Sequence, residues 1–378
     1  MADIHRFSFP TDIRFGAGAR HGVAAYLAEH GIRRPLIVTD KGLAPLPILR
    51  DFAASLERLQ PKVYAGVAGN PDRAQVNAGV AESRRHGADA VIGFGGGAAL
   101  DVAKAVALMS VHEGDVLEYA WDHPRVRPIT QALPLLVALP TTSGTGSEVG
   151  RSAVISEEAT HVKRIVFSPA LLARAVFADP ELTLDLPAPV TAATGMDALT
   201  HNVESYLSPA YHPPCDGIAL EGARIAAHAL EAAVKDPRNL EARSAMMMAS
   251  MMGAIAFQKD LGAVHSCAHA LGTVVDMHHG LANGIMIDHV MRFNRDAAAG
   301  RMAELARVSG AGNDAESFVE WLVELKSRIG IPSRLGERGV TAAHVPRLVE
   351  VAVADTCHRT NPKPCSAADF ERLFERAL

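Results

Sequence analysis

The chain lacks the features that mark several whole classes of protein. Its four cysteines in 378 residues, Cys215, Cys267, Cys357 and Cys365, fall in no CxxC spacing, which excludes a disulfide framework and a thiolate zinc cluster and suits a reducing compartment. Charge of one sign is not in excess. Against 42 Asp and Glu stand 37 Lys and Arg, for a net charge of −5, so no basic field exists to hold a nucleic-acid backbone or an anionic membrane. The longest apolar run, 245–257, is shorter than the roughly 18 residues a membrane span needs. The opening Met-Ala-Asp-Ile-His-Arg-Phe has no basic-then-apolar signal pattern. A cytoplasmic protein that binds neither membrane nor nucleic acid is expected.

What remains is an ordinary globular composition, 48% hydrophobic and 21% charged, in a chain long enough for two or three domains at roughly 150 residues each. The first half alternates short β-branched runs with helical periodicity. Strands are predicted at 36–40 (LIVTD), 62–67, 90–93 (AVIG) and 135–139 (LLVAL), and helices at 45–59, 72–86 and 98–109. Such alternation implies parallel strands joined by crossover helices. Past about residue 185 the strand signals stop, and long Ala-, Met- and Leu-rich helical patterns follow at 218–234, 240–257 and 298–307. Three prolines in DPELTLDLPAPV, 179–190, break the periodicity. They place the boundary between an α/β domain over 1–184 and an all-helical domain over 185–378.

In 90–104, AVIGFGGGAALDVAK, a strand runs into four glycines and then a helix. Amides at such a helix start can cradle a diphosphate, because missing side chains allow close approach and the helix dipole favours negative charge. The stretch fits G-x-G-x-x-G/A, but no acidic residue follows about 20 positions later at the end of a second strand, so it is not a standard Rossmann unit. A ligand-free strand-to-helix turn is the plain alternative. A second loop, PTTSGTGSE at 140–148, offers further amides and hydroxyls. Asp40 closes the LIVTD strand, where a carboxylate either accepts a ribose 2′-hydroxyl and repels a 2′-phosphate or caps the next helix.

The helical half carries the titratable groups. Asp197 and His201 stand at i and i+4, His265 and His269 repeat that spacing, and His278-His279-Gly280 follows. One carboxylate with two or three neutral imidazoles suits iron(II) or zinc. Asp197 lies in an apolar, Ala-rich stretch where an unpaired carboxylate is costly. Spacing alone does not say whether both His265 and His269 bind metal or one of them works as an acid and base.

With the Gly-rich loop, TTSGTGSE, DxxxH, HxxxH and HHG in this order, the sequence resembles the iron-containing (group III) alcohol dehydrogenase family over essentially its whole length. The resemblance implies an α/β N-terminal dinucleotide-binding domain followed by an all-α C-terminal metal-binding domain, an architecture shared with dehydroquinate synthase. It implies Asp197, His201, His265 and His279 as metal ligands and leaves His269 unligated beside nicotinamide and substrate. It implies that Asp40, Asn70, Gly96, Gly97, Ala98, Thr141, Thr142, Ser147, Lys163 and Leu182 line the cofactor site, and that the protein forms a homodimer or larger homo-oligomer. Four positions depart from the family pattern. Ala98 stands where GGGS has serine, Asp260 where glycine is common, and Ala270 and His278 where proline is frequent.

The activity implied is reversible hydride transfer between a primary alcohol and its aldehyde, with NAD rather than NADP favoured by Asp40 and with Fe2+ or Zn2+. His269 would relay the released proton. Gly150, Arg151, Ser152, Phe257 and Cys357 are candidates for the substrate pocket, with Arg151 suited either to an acidic substrate or to a surface salt bridge. Two other readings stand beside this one: a non-redox NAD and metal enzyme of the dehydroquinate synthase type, and a nucleotide- or metal-binding protein without catalysis.

Overall fold

The computed structural model describes residue 9 and residues 11–158 and 162–378. The chain divides into two compact units, one built on Pro10–Thr142 and Gly146–Thr183, the other on Phe9, Ser143–Thr145 and Leu184–Leu378.

The first unit opens with β1 (Asp12–Phe15) and α1 (Val23–Glu29). It continues through β2 (Pro35–Asp40), α2 (Pro47–Ser55), β3 (Lys62–Val67), α3 (Arg73–His86), β4 (Ala90–Gly95), α4 (Gly97–Val111) and β5 (Leu135–Pro140). A two-stranded antiparallel ribbon of β6 (Ser152–Ser156) and β7 (Lys163–Phe167) follows, then β8 (Ala175–Ala178). Six strands form one sheet in the order β1-β8-β5-β4-β2-β3, with every pair parallel. The middle strands β2 and β4 are buried almost throughout, as strands covered by crossover helices on both faces must be.

The chain runs outward from β2 to β3, returns to lay β4 on the other side of β2, and continues to β5. The direction of winding therefore reverses between β2 and β4. In an open α/β sheet, the crevice beyond the carboxyl ends of strands at such a reversal is where a ligand fits.

The edge strand β1 is tied to the end of the unit. It pairs with β8, and the buried Asp179 accepts hydrogen bonds from the Gly18 and Arg20 amides and from the Arg20 guanidinium. Burial opposes the charge on Arg20, but Glu181 and Asp179 outweigh it and raise the pKa of the guanidinium.

The second unit is helical among the described residues. It holds α5 (Ala188–Leu207), α6 (Pro213–Lys235), α7 (Leu240–Ala256), α8 (Ala263–Val275), α9 (His279–Asn294), α10 (Ala299–Ser309), α11 (Ala315–Ile329), α12 (Val345–Ala354) and α13 (Ala367–Ala377). Helix α5 starts with Pro189 in its first turn, where the missing amide costs nothing. It is buried continuously from Thr191 to Leu207, so its polar residues must find partners inside the fold. Helix α9 abuts it closely. A Cβ on Gly280 would lie 2.3 Å from the Ala193 carbonyl, so the glycine of the HHG motif lets the first turn of α9 touch α5 and brings His279 to Asp197.

Asp260, at a position where the resemblance implies glycine, takes φ 64° and ψ −177°, a region open essentially to glycine. Asp260→Gly is expected to raise the unfolding free energy by about 1 kcal/mol, read from urea denaturation curves.

Candidate functional site

Two constellations stand out, one in each unit. In the α/β unit, a cavity of about 360 Å³ lies at the winding reversal, lined by Asp40, Lys41, Gly42, Val67, Ala68, Gly69, Gly96, Ala98 and Ala99. These residues follow the carboxyl ends of β2, β3 and β4. Gly95 has φ 155°, and a Cβ there would lie 2.6 Å from Ala99 Cβ and 3.2 Å from Asp40 Oδ2. Glycine thus lets the loop fold tightly beside the carboxylate. Gly96 caps α4 in an extended conformation, so the amides of the first turn point outward as a ready anion site. Thr141 donates its amide to the Gly95 carbonyl at 3.0 Å, and Thr142 lies against Gly96.

Asp40 does not cap the next helix, α2, whose N-cap is Leu46 without a side-chain bond; one oxygen accepts the Leu43 amide at 2.9 Å in the turn before it, and the residue lines the cavity. The acidic group comes from the strand beside the glycine loop and not from a position downstream of it. That is why the spacing of a standard Rossmann unit is missing. Asn70 follows Gly69 at the cavity edge. Of the expected cofactor residues, Asp40, Gly96 and Ala98 line the cavity; Asn70, Gly97, Thr141 and Thr142 are not in the lining, nor are three others. Leu182 is buried in the 3₁₀ turn Pro180–Thr183, Lys163 opens β7, and Ser147 is engaged in a buried polar network.

In that network Lys104 donates to the Ser147 hydroxyl and carbonyl at 2.7 Å each and to the Ser152 carbonyl at 2.8 Å, while Ser147 donates to Asp101 at 2.6 Å. Glu148 is buried beside them, with Oε1 lacking a hydrogen-bond partner. Burial pushes its carboxyl up to about 7 from 4.5. Between those pH values the fold keeps a proton that the unfolded chain has lost, so Glu148 makes stability fall as pH rises, by up to about 3 kcal/mol across the window. Glu148→Gln is expected to remove that slope, measured as unfolding free energy at pH 5 and pH 7.

In the helical unit Asp197, His201, His265 and His279 come together. One ligand atom from each lies within 4.8 Å of the others. Asp197 Oδ1 stands 3.9, 3.8 and 3.4 Å from Nε2 of His201, His265 and His279. Three of the four residues are buried, and His279 is 23% exposed at its side chain.

The far side of two rings is fixed by the protein. His201 donates Nδ1–H to the Gly144 carbonyl at 3.3 Å, and His265 donates Nδ1–H to Glu204 Oε2 at 2.6 Å. Each bond sets the tautomer that leaves Nε2, on the side of Asp197, without a proton. Burial pushes His201 down to about 4, keeping it the neutral donor a metal requires. Burial also opposes charge on His265, but the hydrogen bond and charge of Glu204 outweigh it and raise its pKa. Asn283 completes the group, with its amide nitrogen 2.7 Å from Asp197 Oδ1 and 3.3 Å from Nε2 of both His265 and His279. Its buried Oδ1 has no hydrogen-bond partner. A carboxylate and three inward-facing imidazole nitrogens form a donor set that fits iron(II) or zinc.

His269, the fourth imidazole, stacks on His279 with ring centroids 5.3 Å apart and points its Nδ1 to Asp355 Oδ2 at 2.8 Å. Phe257 packs its ring against His201. The sequence reading passed over Glu204, Asn283 and Asp355. Glu204 was within reach: Asp197, His201 and Glu204 follow an i, i+4, i+7 pattern that puts them on one helix face. Asn283 likewise stands four residues after His279. Asp355 lies 86 residues from His269, and nothing local marks it.

Comparison with known proteins shows the family of the chain. Residues 10–180 match the family described as iron-containing alcohol dehydrogenase, and residues 191–378 match the C-terminal domain of the same family. A 4-hydroxybutyrate dehydrogenase of Cupriavidus necator is 40% identical, with 97% of this chain and 98% of that protein aligned. Among solved structures, a 1,3-propanediol oxidoreductase superposes with a TM-score of 0.94 at 34% identity, covering 99% of this chain and 100% of that one. A sulfoacetaldehyde reductase from Bifidobacterium kashiwanohense, in complex with NAD+, superposes with a TM-score of 0.90 at 28% identity, covering 100% and 99%.

A glycine-rich loop at the switch point of a parallel sheet and a three-imidazole, one-carboxylate cluster in a helical unit accord with a nicotinamide-dependent metal oxidoreductase acting on alcohols, the class to which the relatives belong. The chain belongs to the iron-containing alcohol dehydrogenase family, whose members use NAD and iron.

Proposed function

We propose that Asp197, His201, His265 and His279 hold the divalent ion, and that His269 carries the proton during reversible oxidation of a primary alcohol to its aldehyde. The observation that supports this most is the convergence of four donor atoms within 4.8 Å, with the outer nitrogens of His201 and His265 held by protein acceptors. When bound, the ion supplies Lewis acidity, favouring the deprotonated alcohol in one direction and polarising the aldehyde carbonyl in the other. The residues do the rest. Asp197 offsets part of the ion's charge, and Glu204 orients His265. His269 donates Nδ1–H to Asp355, which leaves Nε2 to take the proton released from the alcohol and pass it to solvent.

Asp40, Asn70, Gly96, Gly97, Ala98, Thr141 and Thr142 hold the dinucleotide in this reading, with Asp40 accepting the ribose 2′-hydroxyl of NAD and disfavouring NADP. Ser147, Lys163 and Leu182 are assigned to the cofactor by resemblance. The protein is further proposed to act in the cytoplasm as a homodimer or larger homo-oligomer, a setting in keeping with its four free cysteines.

The test follows NADH absorbance with chelator-stripped protein, then with iron(II) added anaerobically or with zinc, over primary alcohols that include diols and ω-hydroxy acids. Metal-dependent NADH formation is expected. Metal uptake with no NADH from any alcohol and no consumption with the matching aldehydes would overturn the reading. Glu204→Gln is expected to keep the fold and to weaken metal binding by roughly 10–100-fold, measured by chelator competition.

A further inference from the structure

A second donor set lies beside the proposed ligands. His269, Asp355 and Cys357 each offer one donor atom, and these atoms lie within 4.8 Å of one another. His269 belongs to α8, while Asp355 and Cys357 follow the end of α12. The carboxylate of Asp355 gathers the group: Oδ2 accepts His269 Nδ1–H at 2.8 Å, and Oδ1 accepts the Ser266 hydroxyl at 2.7 Å and the Cys357 amide at 2.8 Å. Burial opposes its charge, but His269, Ser266 and the Cys357 amide outweigh that and hold its carboxyl well below the usual carboxylate range. Cys357 is a free thiol, and the side chains of His269 and Asp355 are 25% and 19% exposed, so the group is accessible to an ion from solvent.

We propose that His269, Asp355 and Cys357 form a second metal site, selective for a thiophilic divalent ion such as zinc, whose filling inhibits the enzyme. The donor chemistry differs from that of the first cluster. One sulfur, one nitrogen and one oxygen suit zinc, with a fourth position left for water, whereas a set without sulfur discriminates less between iron and zinc. Thiolate and carboxylate together balance the two positive charges of the ion, so a half-buried site holds no uncompensated charge. Binding sends the thiol proton to solvent and moves the His269 proton from Nδ1 to Nε2 as Nδ1 takes the ion. The nitrogen proposed above to receive the alcohol proton then already carries one. The inhibition, unlike the binding, rests on that reading of His269.

Cobalt(II) is a suitable probe, because a bound thiolate gives it a charge-transfer band in the near ultraviolet. Chelator-stripped protein is expected to take up two equivalents of cobalt and to show the band. Cys357→Ser should take up one equivalent without it. His265→Ala should lose the first equivalent and keep the band, which separates this site from the first. Zinc should bleach the band and, added to iron-loaded enzyme, should slow turnover without releasing iron. Cys357→Ser should weaken that inhibition at least ~10-fold. Uptake of a single equivalent with no band, or a band that survives Cys357→Ser, would overturn the proposal. Zinc that binds with the sulfur signature and leaves turnover unchanged would uphold the site and overturn the proton-carrying role of His269.

Discussion

His265→Ala protein is expected to retain almost no iron after loading with iron(II) and to form no measurable NADH from any alcohol. The imidazole lost is the one whose geometry is most constrained, since Glu204 accepts its ring nitrogen at 2.6 Å and its own backbone amide as well. Two buried carboxylates, Asp197 and Glu204, are left facing a space that one fewer neutral donor lines. Removing a ligand from a four-donor set lowers affinity by more than the 10–100-fold typical of an outer partner. Metal content by elemental analysis and turnover on one preparation check this together. Iron retained at one equivalent with turnover lost would remove His265 from the ligand set.

His269→Ala is expected to behave differently. Its ring contacts the cluster by stacking on His279 and edge-on against His265, and its ring bond goes to Asp355 instead of Asp197. The variant should keep one equivalent of the first ion and should turn over about 10²–10⁴-fold more slowly, the usual contribution of a positioned acid or base. Loss of metal equal to that of His265→Ala would overturn the division of roles between the two members of the HxxxH pair.

How far the sequence announces all this depends on the kind of signal. The strands read at 36–40, 62–67, 90–93 and 135–139 coincide with β2, β3, β4 and β5 to within two residues at each end. These lie side by side in the sheet; β2, β4 and β5 are interior, where burial on both faces forces a continuous apolar run, while β3 is a half-buried edge strand. What escaped notice is short or one-sided. The four residues of β1, DIRF, are mostly exposed at an edge, β8 is the four-residue AVFA, β6 alternates half-buried with buried positions, and β7 buries one residue of five. The helices read at 45–59 and 240–257 each end in a 3₁₀ turn that periodicity does not separate from α-helix.

The site shows the same contrast. Donors on one helix face betray themselves by spacing, as Asp197 with His201 and His265 with His269 do. Partners brought from afar do not. The Gly144 carbonyl that fixes His201 comes from a loop 57 residues upstream. Asp355 meets His269 only because the chain beyond α12 folds back against α8.

The tie between β1 and the end of the α/β unit has a consequence for how the protein is made. Gly18 meets Asp179 across 161 residues of chain, and β1 has its one sheet partner in β8. During synthesis the first strand therefore has nothing to pair with until residue 178 has left the ribosome, while β2 to β5 have already met their neighbours. Closing so long a loop comes late and slowly. The polypeptide completes its sheet only as the first turns of α5 emerge, and a nascent chain stalled shortly before that point would hold its leading strand unpaired.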